Sequence, residues 1–525
     1  MGKEVFYITT PLYYVNDVPH VGHAYSTVGA DVLARYKRAQ GREVFFLTGT
    51  DEHGQKVAKA AKERGFESPK ALADQVVQRY QELWSLLGIS HDRFIRTTDE
   101  DHKRCAEKFW RTVAANGYIE KRSYTGWYCV HEETFWPENQ LHQPGNLCPD
   151  CDRPTQSTSE ENYFFKQTAF AQAMREHLAA EPGFVQPESR RNEILGSYLN
   201  LEGGVQDQSI SRGTVKWGIP VPDDPGQVIY VWFDALINYI TAAGWESDPE
   251  RFKKVWPADV HVIGKDILRF HAVLWPAMLM AAGIPVPKKV FGTGFIVNDG
   301  KKMSKSLGNV VDPVDWAGRF GVEVLRYYIL REVPFGHDGS VSEEGIQGRY
   351  NTELANDIGN LLSRTLGMIE KYCEGKVPEP QAGTSDPLRA EAEKLWPAYA
   401  AAMDALAFHE AIESILVLSR RANKYVDDSA PWKMAKDPSR SAELGNCLYT
   451  LAESLRLIAF CLSPFMPKTS GQMLAKLGLG EAEIDAKGRL ATSPLEAACR
   501  FGALKPGTPV TKGEALFPRS EAATV

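Results

Sequence analysis

The feature that most restricts the fold of this chain is an alternation of strand and helix signals. It opens at the N-terminus, breaks off at Gly117 and resumes beyond Pro225. Glu4 to Thr10 is rich in β-branched and aromatic residues and is predicted to be a strand closed by Pro11. A polar turn with Asn16, Asp17 and Pro19 follows. Ala24 to Gln40 then carries Val28, Val32 and Tyr36 on one helical face. Glu43 to Thr48 reads as a second buried strand, and Gly54 opens another helix. Strands alternating with helices predict a parallel sheet wrapped by helices. From Gly117 to Pro225 the chain is rich in Gly, Pro and Cys and looks inserted. The rhythm returns with Val228 to Phe233, His261 to Ile263 and a helix over Ile267 to Ala282, and it ends near Ile296. After Glu343 only helical patterns remain: Ile346 to Glu374, Leu388 to Asp428 and Ala442 to Leu462, with Val377 to Pro387 as a loop.

The fold class is therefore α/β. A split Rossmann-type parallel sheet carries an inserted connective domain and is followed by an all-α bundle. The expected divisions are 1–116 and 226–296 for the two halves of the sheet, and 117–225 for the insertion. Residues 297–345 form a linking region, 346–519 the helical domain and 520–525 a frayed tail. No charged segment followed by a long apolar stretch opens the chain, so no secretory signal is expected. Apolar runs such as Ala277 to Ile284 are too short to span a membrane. Five cysteines (Cys105, Cys373, Cys447, Cys461 and Cys499) stand apart and suggest reduced thiols and a cytoplasmic location. The net charge of -7 shows no basic excess, yet a nucleic acid needs only a local basic track.

Two segments carry phosphate chemistry. Pro19-His20-Val21-Gly22-His23 lies between strand and helix, at a helix N-terminus where free N–H groups and the dipole favour anions. His20 and His23 can both donate to phosphate oxygens, and Gly22 lets a flat group approach the backbone. Far away, Lys301-Lys302-Met303-Ser304-Lys305-Ser306 follows Asp299-Gly300, a tight-hairpin signal. Lysines on a short loop can neutralise charge on a departing pyrophosphate. Either segment alone is compatible with an ordinary turn or a solvated basic loop. Together, on a split α/β sheet, they are not. A carboxylate, Asp51, stands where the second strand meets the mouth of the sheet and could hold an α-ammonium.

Pro19 to His23 resembles the HIGH motif of the class I aminoacyl-tRNA synthetases, with Val21 where many have Ile or Leu. Lys302 to Ser306 matches their KMSKS motif letter for letter, and the resemblance runs through about Arg519. Within the class, the strings Thr10 to Asn16, Thr48 to Gly54, Val231 to Tyr239 and His261 to His271 are similar to the methionyl enzymes of the compact bacterial type. The resemblance implies activation of methionine by ATP with Mg2+ to methionyl-adenylate and pyrophosphate. Transfer to the 3′-terminal ribose of tRNA(Met), at its 2′-hydroxyl, then serves translation initiation and elongation. It also implies site residues. His20, Gly22, His23, Gly264, Asp266, Lys302, Ser304 and Lys305 would meet ATP, with His20, His23, Lys302 and Lys305 catalytic. Asp51, Leu12, Tyr14, Trp232, Ala235, Tyr239, Ile267 and His271 would hold methionine, whose thioether suits aromatic and aliphatic walls. Asn360, Arg364 and Trp432 would contact the anticodon. The insertion, of about 100 residues, is too short for the editing domain of the Leu, Ile and Val enzymes. A nucleotidylyltransferase is the rival of another class, but it needs no helical anticodon reader.

Cys148-Pro149-Asp150-Cys151, with Cys129 upstream, suggests a zinc knuckle. The fourth ligand is open. Glu132 stands where the family often has a second Cys, His131 lies beside it, and His142 is a further option. Longer family members continue into a C-terminal oligonucleotide-binding domain that dimerises them, so a monomer is expected here.

Overall fold

Two of the predicted strands, β1 (Phe6–Tyr14) and β2 (Val44–Asp51), lie side by side in parallel and are almost wholly buried, as expected for a sheet covered on both faces. The computed structural model describes residues 5–130, 134–136, 138–149, 151–201, 204–303, 309–381, 387–480, 483–491 and 494–518. The chain divides into two compact units. The first comprises Met1–Pro19, Val44–Ser85 and His91–Phe295, and the second His20–Glu43, Leu86–Ser90 and Ile296–Val525.

The first unit is built on a six-stranded, all-parallel sheet. With β3 (Arg93–Arg96), β4 (Val185–Gln186), β5 (Val260–Gly264) and β6 (Val290–Thr293), the order is β3-β2-β1-β5-β6-β4. Ile8 stands between Phe46 and Val260, which fixes the register at the centre. Three details differ from expectation. Pro11 does not end β1. The register to β2 shifts between Thr9 and Leu12, and that irregularity accommodates a residue without an N–H. The edge strand β4 comes from inside the stretch expected to be inserted, and its two residues are too few to leave a pattern. Val228 and Ile229 belong to a separate antiparallel sheet of Pro220–Val221, Asp224–Ile229 and Ser211–Arg212, after which Val231–Leu236 is helical.

The helix expected over Ile267 to Ala282 is also interrupted. Trp275 donates to Phe270 five residues back, a wide turn over Phe270–Leu274, before a regular helix covers Trp275–Ala281. Pro276 has no N–H to continue the ladder, which accounts for the change of pitch. The insertion also holds the helices Ala171–Ala180 and Glu188–Ile194 and a four-stranded antiparallel sheet in the order Thr134–Trp136, Ile119–Cys129, Gln156–Phe165, Gln208–Ser209.

The second unit contains the helix Val21–Ala39, a small sheet (Lys301–Lys302, Ile296–Asn298, Gly339–Val341) and the helical half of the chain. The pattern Leu388 to Asp428 is two helices, Pro387–Asp404 and Phe408–Ser429. The chain reverses at Leu406, in the left-handed region with φ 58°, without the glycine that usually marks such a turn. A wide-pitched segment, Tyr350–Gly359, likewise separates Glu343–Arg349 from Asn360–Tyr372.

Three parts of this unit are joined through one buried carboxylate. Asp31, on the helix Val21–Ala39, accepts from Arg35 Nε and Arg326 Nη2 (2.8 Å each) and from Ser90 N and Oγ (2.7 and 2.6 Å). Arg326, on the helix Val322–Glu332, also donates to the carbonyls of Leu87, Pro464 and Phe465. Burial would raise the Asp31 carboxyl, but Arg35 and Arg326 hold it well below the usual carboxylate range. Removing one member leaves the other charged and buried, which costs about 3–5 kcal/mol. Asp31→Asn and Arg326→Met are each expected to lower the melting temperature by several degrees. A thermal melt indistinguishable from the parent protein would show the network to be energetically idle.

Candidate functional site

The helix Val21–Ala39 begins at Val21, three residues earlier than its apolar pattern suggests, because its first turn is closed by polar side chains. His20 is the N-cap, with φ −129° and ψ 177°, and its Nδ1 accepts from Gly22 N at 3.1 Å. In return His23 Nδ1 accepts from His20 N at 3.0 Å, a capping box made of two imidazoles. The rings stack with centroids 3.9 Å apart. Burial, with His20 adding to it, holds His23 well below the ordinary imidazole value. With Nδ1 occupied as an acceptor, the neutral ring carries its proton on Nε2, and each histidine is a donor there. A Cβ at Gly22 would come within 2.9 Å of His20 Cε1, so glycine is required first by the cap itself.

The chain following the lysine segment meets this cap. Asp299 and Gly300 both have positive φ (48° and 72°) and turn the hairpin that pairs Lys301–Lys302 with Ile296–Asn298. Val311 O accepts from Val21 N at 3.2 Å, Val311 N donates to Met303 Sδ at 3.5 Å, and Asn309 O accepts from Asn298 Nδ2 at 3.0 Å. Both flanks of the segment are thus fastened near the helix N-terminus. Ser304 and Lys305 lie outside the described residues, and for Lys302 only the backbone is described.

In the first unit, the ends of β1 and β2 bring Tyr14 opposite Asp51 and Leu12 opposite Gly49. Leu12, Tyr14 and Ile267 are half-buried against an apolar core that contains Trp232, Phe270 and Tyr239, and Ala235 is buried one helical turn from Trp232. Tyr14 meets Trp232 edge-on at 6.2 Å, and Trp232 stacks on Phe270 at 3.9 Å. His271 Nδ1 donates to Ile267 O at 3.1 Å, and its Nε2 lies 2.8 Å from Tyr239 Oη. Burial pushes the His271 imidazole down to about 4, so the ring is neutral and its Nε2 accepts a hydrogen bond from the Tyr239 hydroxyl. Gly264 ends β5, and a Cβ there would sit 2.3 Å from the Asp266 carboxylate, which folds back over it.

The string after β2 holds partners that sequence reading did not assign. Arg96 grips Glu52 with two nitrogens (2.6 and 2.9 Å), and Thr98 Oγ1 donates to the same carboxylate. The fully buried Asp234 binds His53 Nδ1 at 2.6 Å and His102 Nε2 at 2.7 Å. These contacts tie the helix that carries Trp232 to the end of β2. Their partners are up to 181 residues apart, so no local spacing could reveal them. Phe270 was likewise passed over, although it stands inside the string that supplied Ile267 and His271.

Cys129, Cys148 and Cys151 bring their sulfurs within 4.8 Å of one another, and two of the three are buried. His142 instead pairs with Asp152 at 2.8 Å on the surface, while His131 and Glu132 lie outside the described residues. In the bundle, Asn360 Nδ2 donates to Asn423 Oδ1 (3.2 Å) and Arg364 Nη2 to Asp427 Oδ1 (2.6 Å), so both face the helix Phe408–Ser429. Trp432 is 39% exposed, while Pro431 and Met434 are buried. The indole is therefore not the anchor of its short helix.

The family described as tRNA synthetases class I (M) matches residues 6–160 and 148–366, and the anticodon binding domain of methionyl tRNA ligase matches 377–523. The chain is 50% identical to a methionine–tRNA ligase of Caldanaerobacter subterraneus subsp. tengcongensis, over 98% of this chain and 79% of that protein. It is 45% identical to the one from Thermotoga maritima, over 98% and 80%. The methionyl-tRNA synthetase of Mycobacterium tuberculosis, solved in complex with methionyl-adenylate, superimposes with a TM-score of 0.91 at 43% identity, covering 98% of this chain and 100% of that one.

The Asp234 pair of contacts gives a pH signature. Burial alone would raise this carboxyl, but His53 and then His102 outweigh it and hold it at about 2 instead of the ordinary 3.8. Between those values the unfolded chain binds more protons than the folded one. This contribution is present above the unfolded value and is lost as pH falls toward the folded one. In urea melts taken across that range, Asp234→Asn is expected to remove part of the acid dependence while lowering stability at neutral pH. An acid limb as steep as the parent's would contradict this.

Proposed function

Since the chain belongs to the methionine–tRNA ligase family of class I tRNA synthetases, we propose that it activates methionine with MgATP and passes the methionyl group to tRNA(Met). The observation that carries this is the near-complete match to a protein solved with methionyl-adenylate. A carboxylate oxygen of methionine attacks the α-phosphorus, and the bond to pyrophosphate breaks. The 2′-hydroxyl of the terminal ribose then attacks the activated carbonyl, and AMP leaves. No side chain becomes covalently attached, so positioning and charge stabilisation provide the rate.

In this reading His20 and His23 donate Nε2–H to phosphate oxygens, and Lys302, Ser304 and Lys305 neutralise charge as pyrophosphate departs. Gly264 and Asp266 take the ATP ribose. Asp51 holds the α-ammonium, with Leu12, Tyr14, Trp232, Ala235, Tyr239, Ile267 and His271 around the thioether. The cap geometry supports the assignment, because a ring that accepts at Nδ1 keeps its proton at Nε2 and can donate it to a phosphate oxygen. Asn360, Arg364 and Trp432 read unstacked anticodon bases by hydrogen bonds and stacking.

The three clustered thiols suit zinc, a soft tetrahedral ion. Cys129, Cys148 and Cys151 would hold it with a fourth donor, and its service there is structural. None of the eight cysteines is in a disulfide, which suits the reducing cytoplasm, and no described helix is long and apolar enough to cross a membrane. A monomer completes the proposal and is read by sedimentation.

Three experiments test this reading. Across the amino acids, ATP–pyrophosphate exchange should respond to methionine alone; exchange with another amino acid at equal efficiency would overturn the proposal. Trp432→Ala should preserve that exchange but reduce tRNA charging about ten- to a hundredfold, the value of one lost base stack. Elemental analysis should return about one zinc per chain, the count for a single tetrahedral site. Fully active protein without metal would remove zinc from the account.

A further inference from the structure

Trp232 is the inner end of a column of four planar groups. Phe270 lies flat on it, with centroids 3.9 Å apart and planes within 8°. The guanidinium of Arg269 lies 4.7 Å from the Phe270 centroid. It must occupy the ring's other face, since Trp232 covers the first. The same guanidinium lies 4.5 Å from the centroid of Trp136. The order is Trp232, Phe270, Arg269, Trp136, with the cation held between two aromatic faces, each within cation–π range.

The outer end of the column is fixed. Trp136 pairs with Trp127 across the antiparallel hairpin and packs in one small core with Cys129, Leu141 and Cys148. In the middle, Phe270 is a buried member of the apolar core, and Arg269 stands beside it. Phe270, Arg269 and Trp136 border a small cleft of about 70 Å³, shared with Gln167, Gln206 and Gln208. The stack covers both faces of the Phe270 ring and adds to the core packing that places it. A planar guanidinium suits this place better than an ammonium, because it presents two flat faces at once.

We infer that Arg269 and Trp136 are positioning residues for methionine, holding Phe270 against Trp232 and so fixing the aromatic wall of the amino-acid pocket from outside it. This rests on the assignment of Trp232 to that pocket. Neither residue touches the substrate. Their effect is on how much of the Trp232 face is presented to a thioether, and hence on methionine affinity rather than on the chemical step.

The test measures methionine-dependent ATP–pyrophosphate exchange, with melting curves, for Arg269→Met, Arg269→Lys, Trp136→Leu, Trp136→Phe and Trp232→Ala. Arg269→Met and Trp136→Leu are expected to raise KM for methionine about three- to thirtyfold, the value of one or two lost cation–π contacts. KM for ATP and kcat should stay within about twofold, close to the scatter of sites that add independently. Trp136→Phe, which keeps an aromatic face, should restore most of the affinity. Arg269→Lys, which keeps charge but not the plane, should restore little. Unchanged methionine KM in Arg269→Met and Trp136→Leu, beside a raised KM in Trp232→Ala, would overturn the brace and leave the pocket standing. If Trp232→Ala also left KM unchanged, the pocket assignment itself would fall and take the brace with it. Parallel losses in kcat, both Michaelis constants and melting temperature would mark the column as structural only, and would also overturn the inference.

Discussion

The buried carboxylate of Asp31 is the constraint on which the second unit depends. One negative charge faces two guanidiniums, Arg35 and Arg326, and the excess positive charge is spread over the carbonyls of Leu87, Gly88, Pro464, Phe465 and Ala486. Such a site is stable only when every donor is used, because each unmade bond leaves charge in a medium that cannot solvate it. Every donor used is also a segment fixed. The helix that begins at His20, the strip Leu86–Ser90, the helix Val322–Glu332 and the turn at Pro464 are all referred to one point. Hydrophobic burial alone would let these helices slide, whereas a guanidinium with four assigned acceptors does not.

That point is ten residues along the helix from the His20–His23 cap, roughly 15 Å at the rise of an α-helix. The cap is thereby attached to a rod that is anchored at mid-length and also at its first turn, where Val21 binds Val311. Anion recognition at a helix N-terminus is directional, so a rod that could rotate or slide would spoil it. Anchoring by charge below and by Val311 at the tip leaves the two imidazoles little freedom beyond their own rotamers.

How much of this could be read from the sequence depends on the distance over which each signal acts. The alternation of β1, the first helix and β2 was legible because apolar periodicity is local, and so was the hairpin at Asp299-Gly300, where two residues set the turn. Pro11 misled because a register shift cancels a rule that holds for regular strands. Leu406 misled because a left-handed leucine carries no mark in the sequence. The site was visible as strings, yet their wiring was not. Asp234 lay in a quoted string without a role, since His53 and His102 reach it across 181 and 132 residues. Arg269 lies within His261 to His271 without a signal of its own, and only three dimensions place it between Phe270 and Trp136. The three cysteines announced themselves by spacing, but spacing could not say that Trp136 shares their core.

The histidines show how one residue type is given opposite tasks without any change in its chemistry. At His20 and His23 a backbone N–H occupies Nδ1, so the proton is left on Nε2 and the ring becomes a donor at its outer nitrogen. At His271 a backbone carbonyl occupies Nδ1, so the proton is held there and Nε2 becomes an acceptor, which Tyr239 fills. Burial keeps His23 and His271 neutral, and the nearest backbone group then decides the tautomer. A donor pair suits a polyphosphate, whose oxygens only accept. With both its nitrogens satisfied, His271 adds no unpaired polar atom to the apolar wall, which suits a thioether. The polarity of each pocket is thus written by main-chain geometry one turn away from the ring, and the imidazoles carry it outward to the ligands.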